Sequence, residues 1–378
     1  MIKDQEIPTI NRAQKLNPPP EKIHLSNNMQ LNQCIDHINY ETHPAYAPLI
    51  NSPSFSTRLS SLLTFIKFNY LVLLKRLISY ELIPTHLRNP KNAATFMSTG
   101  KKIIQNIANK CKPKTKHHFT DAEIDVFNAL DQQGICVMKM VQNDIETLSN
   151  TASPLINAFR KKRQQNKDGV RKFTDSRSTA LRTTHADLYH SVQSILDASG
   201  IIGGISKYLG RVANVIDINP QINDCSDDFW RRCFPDLSIE NPSTAYGHRD
   251  ASGGDVKAIF YLSDVEKENG PFSFMLGSHR NRPNWLMNTI QETNDTSGHS
   301  STTPEMRKAF AALPKFLRKK CSFGNDLEEG CEKTEHILKS EWQILGQKGH
   351  VVVFDSKGFH RGGMVSKGER VVLTCVIG

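Results

Sequence analysis

The sequence has no CxxC pair. Its 8 cysteines stand apart, at 34, 111, 136, 225, 233, 321, 331 and 375 of 378 residues. That pattern argues against a disulfide framework and a cysteine-rich zinc site, and fits reduced thiols in a cytoplasmic protein. The opening MIKDQEIPTI carries two acids and no apolar core, so no secretory signal is expected. No apolar run reaches the ~20 residues of a membrane span; the nearest, Arg58 to Lys75, is broken by Lys67. Internal repeats are absent. So is any basic strip interleaved with aromatics, which leaves no stacking platform for nucleic acid. What is present is a globular balance, 38% hydrophobic and 23% charged, over a length that fits about two domains.

Charge divides the chain in two. Residues 1–118 hold 16 Lys and Arg against 6 Asp and Glu, whereas residues 119–378 hold 32 of each. The whole excess of +10 therefore sits in the first third, which reads as a basic, mainly helical extension. Its first fifty residues look irregular. Leu62, Phe65, Ile66, Asn69, Tyr70, Leu73, Leu77 and Tyr80 then recur at three- and four-residue steps and predict a helix ended by Pro84. Packing of residues 58–83 on the core is favoured over peripheral membrane contact. A second helix is expected at 92–110 and a linker at 112–118.

From Thr120 the texture changes. Thr120-Asp121-Ala122-Glu123 is a capping box opening a helix that Gly134 should stop. A strand is predicted at 135–141, a helix from 143–146 into the basic cluster 160–163, and another helix at 186–199. After Gly200 strand signals dominate, at 211–218, 244–248, 256–263, 271–276, 350–354 and 369–377. Short strands between Gly, Pro and Asn turns predict an α+β domain with a mainly β core, a jelly roll or barrel with flanking helices. Residues 281–345 are polar, with a helix expected at 304–320, and read as an insertion or lid.

Three features stand in order in this part: His248-Arg249-Asp250, then His360 after the apolar strand VVVF, then Arg370 in the final strand. In an extended chain residues two apart share a face, so His248 and Asp250 can reach one ion while Arg249 points away. Two imidazoles and a carboxylate form the facial set that holds Fe(II) and leaves three positions open. A bidentate 2-oxo acid takes two of these and dioxygen the third. The far carboxylate of the oxo acid then needs a planar, permanent cation, which suits Arg370. His279 is expected to make a structural hydrogen bond, His117-His118 to be solvated, and His185 and His190 to lie at a surface or pocket wall. Trp230, Trp285 and Trp342 are read as core. Arg249, Lys257, Arg280 and Arg282 crowd the region and are candidates for holding a substrate carboxylate or phosphate.

The stretch GHRDASGGDVKAIFYLSDVEKENGPFSFMLGSHR, with GHVVVFDSKGFHRGG and ERVVL after it, resembles the phytanoyl-CoA dioxygenase-like (PhyH) family of Fe(II)/2-oxoglutarate oxygenases. The resemblance covers 120–378 loosely and implies a double-stranded β-helix (cupin-like) domain at 119–378. It implies His248, Asp250 and His360 as non-haem iron ligands and Arg370 as the anchor of the 2-oxoglutarate C5 carboxylate. Ile259 and Ile216 become pocket walls. Two departures stand out: His350 follows Gly349 where the family usually has Asp, and Gly362 stands where a hydroxyl residue is common. Related halogenases lack the carboxylate ligand, so Asp250 argues against halogenation. The expected activity is oxidation of an unactivated C–H of a small, anionic metabolite, by hydroxylation, desaturation or oxidative cyclisation in biosynthesis, with dioxygen consumed and succinate and CO2 released. The alternatives are a catalytically weak membrane- or partner-recruited binding protein on this fold, and a macromolecule hydroxylase.

Overall fold

The computed structural model describes residues 47–51, 53–64, 118–165, 180–224, 247–250, 256–280, 332–363 and 365–378, with a few isolated positions between them. The helices expected at 92–110 and 304–320, the linker and most of the irregular N-terminal segment lie wholly or mostly outside these residues.

Thr120 opens the first core helix, α1 (Asp121–Gln133), in the predicted way. Its hydroxyl accepts from the Glu123 N–H at 3.3 Å, and the Glu123 carboxylate accepts from the Thr120 N–H at 2.7 Å. Two donors that a helix start leaves free are thereby satisfied. Gly134 ends the helix at φ 83°, a left-handed conformation suited to glycine. The chain continues through β1 (Ile135–Lys139), α2 (Gln142–Gln165), α3 (Ala186–Ala198), α4 (Ile201–Leu209), β2 (Val215–Asp224), β3 (Val256–Tyr261) and β4 (Phe272–Met275). After these come α5 (Glu332–Leu338), β5 (Glu341–Ile344), β6 (His350–Asp355), β7 (His360–Gly362) and β8 (Glu369–Ile377).

The strands form two antiparallel sheets, one ordered β1-β6-β3-β8-β2 and one ordered β5-β4-β7. Both faces of the large sheet are covered, so β3, β6 and β8 are nearly continuous apolar runs and not alternating ones. On one face Ala258, Phe260, Val351, Val353, Leu373 and Cys375 pack against α1 to α4. On the other, Ile259, Tyr261, Val352, Phe354 and Val372 meet Phe272, Phe274 and Ile344 of the small sheet. The molecule is thus helices, large sheet, small sheet: an α+β fold. Along α2, Ile145, Leu148, Ala152, Ile156 and Phe159 form the buried stripe. The basic cluster at its end is an anchor: Arg160 and Arg163 reach Glu369 at 2.6 and 3.4 Å, and Arg163 also pairs with Asp224.

Three differences from the sequence reading have physical causes. Residues 201–209 are helical, because Gly203 and Gly204 let α4 lie directly on α1; a Cβ at Gly204 would stand 2.6 Å from the Val126 Cβ. The strand expected at 211–218 runs instead from Val215 to Asp224, with a bulge between Val215 and Asp217. The end of the 281–345 insertion is β5, which pairs with β4 as an edge of the small sheet.

Among the described residues no helix is long and apolar enough to cross a membrane. Residues 55–64 are helical; Phe55, Leu59 and Leu63 are exposed, while Ser61 is buried and donates to the Ala309 carbonyl. Cys375 is a free, buried thiol.

Candidate active site

Two imidazoles and a carboxylate meet at one end of the space between the sheets. His248 and His360 form a two-way backbone bridge, each N–H donating to the other's carbonyl at 2.9 Å. The Asp250 N–H donates to the Ser356 carbonyl at 3.0 Å. These bonds clamp all three backbones to the sheets. One nitrogen or oxygen from each of His248, Asp250 and His360 lies within 4.8 Å of the others. His360 Nε2 is 3.4 Å from Asp250 Oδ2, and His248 Nε2 is 3.9 Å from Oδ1.

His360 is fixed from behind. Its Nδ1 lies 2.9 Å from the Gly358 carbonyl, which takes the ring proton and leaves the Nε2 lone pair for a metal. Phe354 and Phe272 flank the ring at 4.9 and 5.8 Å. Burial pushes the His360 pKa down to about 3 against the opposing pull of Asp250, so the ring is neutral and able to ligate. For Asp250, burial alone would raise the pKa, but Lys257, His360 and His248 together hold it well below the usual carboxylate range.

Arg249 points away, as the spacing predicts. Its guanidinium lies 4.1 Å over the Phe359 ring and donates to the Ser278 carbonyl at 3.1 Å. Burial lowers its pKa to about 10, opposed by Asp355, so it keeps its charge. Lys257, read from sequence as a candidate for a substrate anion, instead places Nζ 2.7 Å from Asp250 Oδ2. Arg280 and His279 bind the Asp131 carbonyl, at 2.6 and 3.2 Å, which makes both structural. His185 hydrogen-bonds within its own turn, Trp342 packs partly buried between the sheets, and Arg282, Trp230 and Trp285 lie outside the described residues.

Arg370 occupies another part of the same space. It is buried, and its Nε and Nη1 have no acceptor among the described residues. Burial lowers its pKa, with Tyr261 opposing. Gly362 makes room for it: a Cβ there would stand 3.1 Å from Arg370 Nη2. Directly opposite on β2 is Asn223, whose Nδ2 is also buried without a partner. Neither Asn223 nor the Lys257 contact was read from the sequence. Asn223 lies beyond the expected end of its strand, although strand parity with Asn219 and Gln221 marks it as sharing their face. Ile259 sits between the two ends, since Lys257, Ile259 and Tyr261 share one face of β3 over roughly 13 Å of strand. Ile216, the other expected pocket wall, is not buried with Ile259. It falls at the β2 bulge and is 52% exposed, whereas Val215 beside it is buried.

Two imidazole nitrogens and a carboxylate suit Fe(II), and unpaired buried guanidinium donors suit a carboxylate. The sequence profile of the phytanoyl-CoA dioxygenase (PhyH) family matches residues 130–372. The chain belongs to that family. As a PhyH protein it is an Fe(II)/2-oxoglutarate-dependent dioxygenase, with iron as cofactor and 2-oxoglutarate as cosubstrate. Comparison with curated proteins returns no match. Among solved structures the PhyH chain is similar to EctD from S. alaskensis with 2-oxoglutarate and 5-hydroxyectoine, at 12% identity over 71% of this chain and 80% of that one, TM-score 0.41. It is similar also to the non-haem carbocyclase SnoK from nogalamycin biosynthesis, at 12% identity over 69% and 87%, TM-score 0.39. HygX from Streptomyces hygroscopicus with nickel and 2-oxoglutarate bound matches at 14% over 69% and 87%, TM-score 0.35.

Proposed function

We propose that this family member oxidises an unactivated C–H bond of a small metabolite, by hydroxylation, desaturation or oxidative cyclisation in a biosynthetic pathway, releasing succinate and CO2. One observation carries the reading: a three-ligand cluster and an unpaired buried guanidinium share one inter-sheet space. We take the two sheets as a double-stranded β-helix domain over 119–378, with residues 1–118 as a basic extension. We place the protein in the cytoplasm, where scattered, reduced cysteines are at home.

Fe(II) held at the three-ligand cluster would supply, with 2-oxoglutarate, dioxygen activation coupled to decarboxylation of the oxo acid. The chain does the rest. His248, Asp250 and His360 hold the metal from one side. Arg370, with Asn223 beside it, receives the C5 carboxylate, and Ile259 walls the path between. Phe272 and Phe354 exclude water behind His360. Asp250 fills the position a halide would need, so halogenation is not proposed. The basic residues that made an anionic substrate attractive are largely committed: Arg249 to Ser278, Lys257 to Asp250 and Arg280 to Asp131. The fourth, Arg282, lies outside the described residues.

The test is succinate formation by Fe(II)-loaded protein with 2-oxoglutarate and a panel of small metabolites, with the organic product followed by mass spectrometry. Substrate-stimulated succinate and a product heavier by one oxygen, or lighter by two hydrogens, is the expected result. Tight metal and 2-oxoglutarate binding with no turnover on any substrate would favour a binding protein on the same fold. Turnover confined to protein or nucleic acid would favour a macromolecule hydroxylase.

A further inference from the structure

We infer that Lys257 is a positioning residue of the metal centre: it holds Oδ2 of Asp250, so that the carboxylate offers the metal one oxygen and not two. The inference rests on the reading of His248, Asp250 and His360 as the metal ligands.

The three ligands differ in what their surroundings leave undecided. A histidine has one lone pair to give, and the His360 ring is fixed by Gly358 and by Phe354. An aspartate has two equivalent oxygens on a soft terminal torsion. The backbone bond from Asp250 to Ser356 fixes where the carboxylate starts, not how it turns. Something else must decide between one-oxygen and two-oxygen ligation.

Lys257 is placed to do so. It lies on β3, which is bonded on both sides, to Phe354 of β6 and to Val376 of β8. A central strand is the stiffest support the fold offers. From there Nζ reaches 2.7 Å from Asp250 Oδ2, a close ion pair with the side chains only 19% and 17% exposed. A second metal bond from Oδ2 would have to displace that ammonium. Position matters because a facial ligand set leaves three sites, and the oxo acid together with dioxygen needs all of them. A two-oxygen aspartate would take one away.

The experiment uses the full chain loaded with Mn(II) and no oxo acid, with bound exchangeable waters counted by water-proton relaxation. Lys257→Met keeps the apolar stem and removes the donor; Lys257→Arg keeps a donor and the charge. We expect Lys257→Met to hold Mn(II) with one water fewer than wild type and Lys257→Arg to match wild type. With Fe(II), turnover of Lys257→Met should fall about 10–100-fold, with most of the loss recovered in Lys257→Arg. A wild-type water count in Lys257→Met overturns the inference, and if turnover has nevertheless dropped, the lysine serves the oxo acid or substrate instead. Should Lys257→Met fail to fold, the wild type still decides: a count showing that Asp250 already gives two oxygens sinks the idea. Failure of wild type to bind Mn(II) would sink the ligand assignment itself, which is a different result.

Discussion

The two ends of the inter-sheet space are built on opposite principles. Around Asp250 the charge has an answer: the Lys257 ammonium stands 2.7 Å from the carboxylate, with the His360 and His248 rings at 3.4 and 3.9 Å. Around Arg370 charge is left over: two guanidinium nitrogens and the Asn223 amide are buried with no partner among the described residues. A buried donor without an acceptor costs about 1–3 kcal/mol, more when charged. The protein tolerates that cost at the end where a cosubstrate anion would supply the missing acceptor. The metal end is preassembled by the chain alone; the arginine end is completed by what binds there.

That contrast can be broken most directly at the metal end. His248→Ala, Asp250→Ala and His360→Ala should each abolish turnover and weaken Fe(II) binding, measured anaerobically. Near-normal succinate formation by any of them would mean the ligand set is wrong. Next in size is Arg370→Ala. Removing one partner of a buried ion pair costs about 3–5 kcal/mol, so the Kd for 2-oxoglutarate should rise by about two to four orders of magnitude. Metal affinity should hardly change, and Lys at 370 should recover only part of the loss, since a fork becomes a point charge.

Asn223 sharpens the comparison further. If its amide donates to the cosubstrate carboxylate, Asn223→Leu loses about 1.5–3 kcal/mol of 2-oxoglutarate affinity, the usual worth of a hydrogen bond to a charged group. Asn223→Asp should then be worse than Leu, because a second carboxylate would both repel the ligand and occupy Arg370. If the residue instead serves as an acceptor that orients Arg370, Asp should bind 2-oxoglutarate better than Leu does. Calorimetry on the Mn(II)-loaded variants separates the two.

Much of the site was legible because it depends on local spacing. His248 and Asp250 are two apart in an extended segment, and Lys257, Ile259 and Tyr261 inherit one face of β3 from the same parity. The final strand, 369–377, was readable to the residue. The rest depends on tertiary facts. The bulge between Val215 and Asp217 breaks parity at the start of β2, and Ile216 within it is exposed. The end of that strand, Gln221 to Asp224, lies beyond the expected bounds; Asn223 there stands opposite Arg370 and Asp224 pairs with Arg163. Gly203 and Gly204 look like helix breakers; their cause is α1, which lies too close for a side chain. The pairing of Lys257 with Asp250 could not be read from spacing at all.

The smallest predicted effect concerns the helical layer, which the contrast between the two cavity ends leaves out. Thr120 satisfies one donor of α1 and receives Glu123 in return, on an exposed surface far in sequence from every site residue. Thr120→Ala should cost about 1 kcal/mol, the ordinary worth of an N-cap. In a domain of this size that is a fall of about 2–4 °C in Tm. The affinities for Mn(II) and 2-oxoglutarate should stay at their wild-type values, and Thr120→Ser should restore the Tm. α1 does have a route to the cavity: Gly134 ends it and accepts from the Asp355 N–H at 2.9 Å, next to the turn that carries His360. That route runs through the other end of the helix, at Gly134, fourteen residues from the cap, where the fold is held by Gly134 and β6 independently of Thr120. A shift in 2-oxoglutarate affinity that tracks the loss of the cap would show that the helical layer tunes the cavity, and that the division between a preassembled metal end and a ligand-completed arginine end is incomplete.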